Sequence, residues 1–327
     1  MIDLASLIKK TNAYKIISGD KKANRLSHAY LILMSDKQML SDYLKFFAKV
    51  IACEKIEPCL ECRVCDLIDK NSHSDVIFYP KNKESISSEE INELIEESYL
   101  RPIECDKKVF VLLNAESMNA SAQNKLLKTL EEPPKNVHIL LGATSEFPLL
   151  STIKSRVRKL EIPAFDSQTI IDALKNECDD YEKLKTAVFC SDGSVGDALS
   201  LYNDEKLKAI TDLVVDLLVN MNSSSQVLKY STLISKSGVE TTQFLSVLEL
   251  LLRDMLVLSQ GQEQLVNNKE LKEKLKKAQK FNTGAIIYAL DTVINAQQRK
   301  KFNMTPTMLI EWVLFQILEG KYKWQKF

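Results

Sequence analysis

The sequence predicts an α/β domain built on a parallel sheet, followed by helices to the end of the chain. Two observations carry this. Between Lys107 and Arg158, two strand-length apolar runs, Val109–Leu113 and Val137–Leu141, flank a single amphipathic helical segment. From about residue 204 onward, apolar residues recur at helical spacing, and only 8 Gly and 8 Pro interrupt 327 residues, which favours long helices over a turn-rich β architecture. A strand, a helix and a strand in succession make a parallel pair with a right-handed crossover. Ligands usually meet such a sheet at the carboxyl ends of its strands. Arg156, just ahead of a further strand-like run at Val157–Ile162, is expected at that mouth, reaching outward.

Composition narrows the function classes. Hydrophobic content of 45% and charged content of 27% fit a globular protein with a real core, and 327 residues suffice for two or three domains. The formal net charge is zero, so any nucleic-acid contact has to be local or shared with partner chains. The N-terminal MIDLASLIKK lacks the basic-then-apolar order of a signal peptide. Apolar stretches such as FLSVLELLLRDMLVL carry charges and fall short of a membrane span. These features predict a cytoplasmic protein whose seven cysteines do not form structural disulfides.

Taken in order, residues 4–25 show helical spacing through Leu4, Leu7, Ile8, Tyr14, Ile16 and Ile17, and His28–Leu33 reads as the first buried strand. Asp75–Pro80 reads as a second strand. Ser87 and Glu90 form a capping-box signal for a helix over 88–99 with Ile91, Leu94 and Ile95 on one face. The strand at 109–113 follows. The next helix starts at Asn119 or Ser121, buries Leu126, Leu127 and Leu130, and ends at Pro133–Pro134. A helical turn then leads to Ser155–Arg156. Residues 163–202 read as a small helical unit opening with Asp166 as a cap. Four apolar faces come after it: Leu213, Val214, Leu217 and Leu218; Phe244, Leu248, Leu251, Leu252 and Leu256; Ile286, Ile287, Leu290, Val293 and Ile294; and Met308, Leu309, Trp312, Val313 and Ile317. The lysine run at 271–281 reads as a solvated face.

Cys53, Cys59, Cys62 and Cys65 lie within thirteen positions, three of them at two-residue gaps. Four thiolates at this spacing suit one tetrahedral zinc ion, with no position open for water, so the role is structural. Such a site contributes roughly 10–16 kcal/mol of apparent binding energy to local folding. Cys105, Cys178 and Cys190 read as isolated core or surface thiols, and His73 as a loop residue bonding locally.

NKLLKTLEEPP, followed by a strand and then TIKSRV, resembles the AAA+ clamp-loader subunits of bacterial DNA polymerase III. The resemblance covers the first 200 residues well and the helical tail in character. It implies an AAA+ (RecA-like) domain over 1–162 with a zinc module at 53–65, a small all-α lid over 163–203 and an all-α collar over 204–327. In that family the first strand feeds a glycine-rich loop, whose backbone approaches phosphate closely and whose Lys and Ser or Thr serve the anion and its magnesium. The corresponding positions here are Met34, Ser35, Asp36, Lys37, Gln38, Met39, Leu40 and Ser41, with no glycine and with Leu40 at the lysine position. Lys37 reads as a solvated loop lysine, and Ser41 alone holds little. The family's acidic pair falls on Leu113 and Asn114. Glu116, slightly later, reads as a solvated carboxylate. Thr144 takes the nucleotide-sensing position and is expected to act as a strand-end hydrogen bonder. Gly196 stands where the ATPases carry an arginine against the γ-phosphate.

Ser155–Arg156 is kept, with Val157 where the family usually has Cys. The resemblance then implies a ring subunit with no nucleotide and no intrinsic ATPase activity. Arg156, supported by Ser155, would act as an arginine finger in trans at a neighbour's ATP site. The implied partners are the ATPase (tau/gamma) and delta subunits, the sliding clamp indirectly, and primed DNA within the complex. Two other readings are weaker. An ATP-hydrolysing tau/gamma-type subunit is opposed by Leu40, Leu113 and Gly196. A stand-alone zinc-containing DNA binder is opposed by the cysteine segment, where Lys55 and Arg63 face Glu54, Glu57 and Glu61 and no aromatic residue occurs.

Overall fold

The computed structural model describes residues 4–81, 85–263, 266, 271–276, 281–299 and 305–323. The chain divides into two compact units, residues 1–165 and 166–327. The first opens with α1 (Leu4–Lys10) and α2 (Asn12–Lys22). The helical spacing over 4–25 is broken at Thr11, which caps α2 by accepting the Tyr14 N–H on its Oγ1. Then come β1 (Ala29–Met34), α3 (Leu40–Ala52), α4 (Arg63–Asp69), β2 (Val76–Tyr79), α5 (Ser88–Ser98), β3 (Lys108–Leu112), α6 (Ala120–Glu131), β4 (Val137–Ala143), α7 (Ser151–Lys154) and β5 (Arg158–Ile162).

The strands form one sheet in the order β2-β3-β4-β1-β5, and every pairing is parallel. The three interior strands, β3, β4 and β1, are buried at every position, as a parallel sheet covered on both faces requires. The edge strand β5 alternates, with Leu160 and Ile162 buried and Arg158, Lys159 and Glu161 exposed. Helix α6 is the crossover expected between the two apolar runs. Asn119 rather than Ser121 caps it, its side-chain oxygen taking the Ala122 N–H at 2.8 Å. Leu126 and Leu130 point into the core, and the helix stops just ahead of Pro133–Pro134. The capping box of Ser87 and Glu90 on α5 is complete.

Close approach of α3 to the sheet depends on one glycine. A Cβ on Gly142, near the carboxyl end of β4, would lie 2.3 Å from Leu44 Cδ1 and 3.1 Å from Leu40 Cδ1. The missing side chain therefore lets the apolar face of α3 settle directly on the β4 backbone. Lys108 and His138 are among the polar groups buried beside the apolar layers. Lys108 on β3, 3% exposed, sends its ammonium to the carboxyl end of α5, where Glu97 Oε2 (2.7 Å) and the Glu97 carbonyl (3.0 Å) accept it. His138 on β4 donates from Nδ1 to the Ser27 carbonyl at 2.8 Å, and burial pushes its pKa below the ordinary histidine value.

In the second unit the helices are α8 (Ser167–Leu174), α9 (Tyr181–Cys190), α10 (Val195–Asn203), α11 (Glu205–Asn220), α12 (Ser224–Lys236), α13 (Thr241–Ser259), α14 (Lys272–Lys276), α15 (Thr283–Arg299) and α16 (Pro306–Lys323). Asp166 caps α8 through the Thr169 N–H. One apolar cluster runs through α9, α11, α13, α15 and α16, centred on Val214, Leu217, Phe244, Leu248, Val293 and Val313. Three residues expected on the buried faces are instead exposed: Ile287, Ile294 and Met308. The apolar spacing of their helices continues past the face that the unit itself covers. The lysine run is also more engaged than a solvated face. Lys272 and Lys276 both pair with Glu263, and Lys274 lies 3.3 Å from Asp212. The part of that run at 277–280 lies outside the described residues. Lys321, 2% exposed, donates to the Met221 carbonyl at 2.9 Å and to Asn222 Oδ1 at 2.7 Å, closing the carboxyl end of α11. No described helix is long and apolar enough to cross a membrane.

The buried His138 gives stability a pH dependence of known sign. Its pKa in the folded chain lies below the unfolded value of about 6.5. Its contribution is therefore complete above about pH 6.5 and is lost as pH falls from there toward the folded-state value. Urea midpoints measured from about pH 7.5 down to about pH 5 should fall more steeply for the wild-type chain than for His138→Gln. Equal slopes would contradict this.

Candidate functional site

The carboxyl end of β1 leads through residues 35–39 to the head of α3, the place where a phosphate loop would lie. A helix amino terminus offers unpaired N–H groups and a partial positive charge, which make it a natural anion site. Here that charge is already answered from within. Asp36, 6% exposed, accepts the Met39 N–H on Oδ1 at 3.1 Å, and Asp42 stands in the first turn of α3. Met39 and Leu40 are buried, Leu40 against Gly142, while Ser35, Lys37 and Gln38 are exposed and Ser41 is half-buried. The buried Asp36 carboxylate and the buried Leu40 side chain thus fill the head of α3.

Strand β3 ends at Leu112. Leu113 donates its N–H to the Tyr79 carbonyl at 2.7 Å, and Asn114 turns the chain in the left-handed region at φ 53°. Neither residue offers an acid. Glu116 departs from expectation: it is not solvated. Its Oε1 accepts both the N–H (2.9 Å) and the Oγ1–H (2.7 Å) of Thr144 beyond β4, and its Oε2 is buried with no partner among the described residues. The 3-10 turn Ala115–Ser117 swings this carboxylate back over the sheet end, and sequence spacing does not reveal that turn. Gly196 lies buried near the start of α10, which Ser194 caps.

Arg156 follows α7 and precedes β5. Since Arg158 pairs with Tyr30 at the start of β1 and Ile162 with Met34 at its end, Arg156 lies at the amino ends of the strands. That is the edge opposite the head of α3 rather than the mouth where it was expected. The reason is that the segment after β4 returns along the sheet before β5 begins. The guanidinium is partly exposed, its side chain 34% accessible. It donates to the Thr152 carbonyl at 2.9 Å and to Ser155 Oγ at 3.3 Å, and it pairs with Glu131 Oε1 at 2.7 Å. Glu131 is the last residue of α6, inside the LEEPP tract. Gln123, 2% exposed, fixes the segment leading to α7. Its amide donates to the Met118 and Pro148 carbonyls and accepts the Leu150 N–H.

Cys53, Cys59, Cys62 and Cys65 come together as the spacing implied, with all four sulfurs within 4.8 Å of one another. Cys53 ends α3, Cys62 caps α4 and Cys65 sits in its first turn. The set fits a tetrahedral metal ion. Metal–sulfur bonds of about 2.3 Å put sulfurs about 3.8 Å apart, and Cys53 Sγ and Cys59 Sγ are 3.8 Å apart. Cys59 Sγ accepts the Cys62 N–H at 3.4 Å. The Glu61 N–H, then the Cys62 thiol and N–H, pull the Cys59 thiol down to about 6. Burial, then the Cys62 thiol, push Cys65 up. Leu60, between two of the cysteines, holds φ at 62°, a backbone state a leucine keeps only when its surroundings impose it.

Cys105 is not isolated. Its sulfur lies 3.5 Å from His73 Nε2, and Asp75 is beside both. Yet this trio is built for structure. His73 Nδ1 accepts the Asp75 N–H at 3.0 Å, so the neutral ring carries its proton on Nε2, the nitrogen a metal would need. Both Asp75 oxygens are taken by the N–H groups of Ile103, Glu104 and Cys105. Burial, with Asp75 next, pushes the Cys105 thiol up to about 11.

Elemental analysis of the purified chain should find one metal ion per chain, lost in Cys62→Ser and kept in Cys105→Ser, and chelation should lower the melting temperature. A metal-free wild-type chain, or loss of metal in Cys105→Ser, would contradict the assignment.

A family model described as DNA polymerase III, delta subunit, matches residues 9–166. The chain is 26% identical over 318 residues to DNA polymerase III subunit delta' of Bacillus subtilis (strain 168), covering 94% of this chain and 95% of that one. It is 24% identical over 330 residues to subunit tau of the same organism, covering 91% of this chain and 58% of that longer one. Against subunit delta' of Yersinia pestis, identity is 31% over 148 residues, 44% of each chain. With this similarity on a five-stranded parallel sheet carrying the LLKTLEEPP and SRV tracts, the chain is similar to the clamp-loader subunits of DNA polymerase III.

Proposed function

We propose that this chain is the non-catalytic, delta-prime-type subunit of the clamp loader. In this reading it assembles with tau/gamma-type ATPase subunits and a delta subunit, helps place the sliding clamp on primed DNA, and lends Arg156 to the ATP site of a neighbour. The observation that carries the reading is the head of α3, where Asp36 and Leu40 occupy the place a phosphate would take. Leu113 and Asn114 add the loss of metal-holding acids, and Thr144 is engaged by Glu116. Helices over 163–203 serve as the lid and those over 204–327 as the collar. Ile287, Ile294 and Met308 leave apolar surface there for neighbouring subunits. The metal of the four-cysteine centre is zinc, the ion that four thiolates in tetrahedral array favour.

Arg156 lies at the edge of the sheet opposite its own degenerate loop, which supports a role at another chain's phosphate. An exposed ion pair such as Arg156–Glu131 is worth about 0.2–1 kcal/mol, so the guanidinium can leave Glu131 at small cost. Its fixed charge and planar donors then neutralise charge developing on a γ-phosphate. An arginine supplied in trans is worth roughly 10³–10⁵ in rate at the site it serves.

The similarity to tau favours a second reading, an ATP-hydrolysing subunit, which the closed head of α3 opposes. In the reconstituted complex, Arg156→Ala should leave the chain folded and assembled while lowering ATP turnover and slowing clamp loading. Turnover and loading equal to wild type would defeat the proposal.

A further inference from the structure

We infer that Lys21 is the outer cation of the four-cysteine metal centre, fixing the backbone of Cys53 and offsetting the charge of the thiolates. This rests on the zinc reading above. Four thiolates around a divalent ion leave a net charge of about −2. The connecting segment adds Glu54, Glu57 and Glu61, all exposed. Cys53 is 2% exposed and ends α3, so this negative charge reaches into a partly buried region.

Lys21, in the last turn of α2, is 32 residues from Cys53 in sequence. Its Nζ donates to the Cys53 carbonyl and to the Lys55 carbonyl, each at 2.5 Å. The two carbonyls flank the first residue of the five-residue gap, which has no regular secondary structure to hold it. Three other cations near the module pair with carboxylates: Lys49 with Asp69, Arg63 with Glu104 at 3.7 Å, and Lys9 with Glu57 at 3.2 Å. Among the described residues Lys21 has no carboxylate partner. Its charge is held by neutral carbonyls next to a ligand, where it acts on the sulfur centre. Groups hydrogen-bonded around a metal's ligands orient those ligands and tune the metal, and removing one typically weakens binding about 10–100-fold. Lys21 is thus a positioning residue that couples the N-terminal helices to the metal.

The test uses the full-length chain loaded with one zinc ion and a chromophoric chelator as competitor. Lys21→Gln should bind zinc about 10–100-fold more weakly and release it faster. Lys21→Arg should recover most of that loss, and Lys22→Gln on the same turn should match wild type. Acetylation of the unmutated protein, read by mass spectrometry, gives a measure that needs no variant: Lys21 should react more slowly in the zinc-loaded form than in the stripped form, and Lys22 equally in both. Wild-type affinity in Lys21→Gln, or equal reactivity of Lys21 in the two forms, overturns the role of Lys21 and leaves the zinc reading standing. A wild-type chain that binds no zinc overturns both.

Discussion

At the head of α3 the carboxylate of Asp36 takes the N–H of Met39, and Leu40 lies buried against Gly142. That contact decides what the rest of the sheet can do. The amino end of a helix behind a parallel strand attracts anions by its dipole and free donors. Here the Asp36 carboxylate lies at that end and accepts the Met39 N–H. The adjoining groups are also changed: Leu113 and Asn114 offer no carboxylate, and Glu116 is bound to Thr144.

The opposite edge is arranged differently. Arg156 stays partly exposed, held on a short turn by Thr152, Ser155 and Glu131, all weak surface contacts. The buried Gln123 stiffens the segment behind it, donating to the Pro148 carbonyl and accepting the Leu150 N–H. A rigid support carrying a loosely tethered cation suits a group that acts on another molecule, because the support keeps the cation aimed while the tether yields.

Much of this was legible in the sequence, for reasons that differ by feature. The interior strands were readable because a sheet covered on both faces demands unbroken apolar runs, as in Val109–Leu112 and Val137–Leu141. The clustering of Cys53, Cys59, Cys62 and Cys65 was readable because thiolate spacing is local. The failures were non-local. Sequence spacing reads Glu116 as solvated because nothing in the chain shows that a left-handed Asn114 turns it toward Thr144, 28 residues away. Lys21 meets Cys53 only through folding, and Ile287 and Ile294 share a helical period with core residues yet face outward. Arg156 was expected at the wrong end of the sheet because its position depends on where the chain goes between β4 and β5. One signal lay in plain view: Glu131 belongs to the same LEEPP tract as the helix end.

The account rests on the claim that the protein's own groups fill its nucleotide place. Equilibrium dialysis of the isolated chain against labelled ATP, with and without magnesium, measures that directly. The predicted result is no saturable binding in either condition. Saturable, magnesium-dependent binding at one ATP per chain would contradict it.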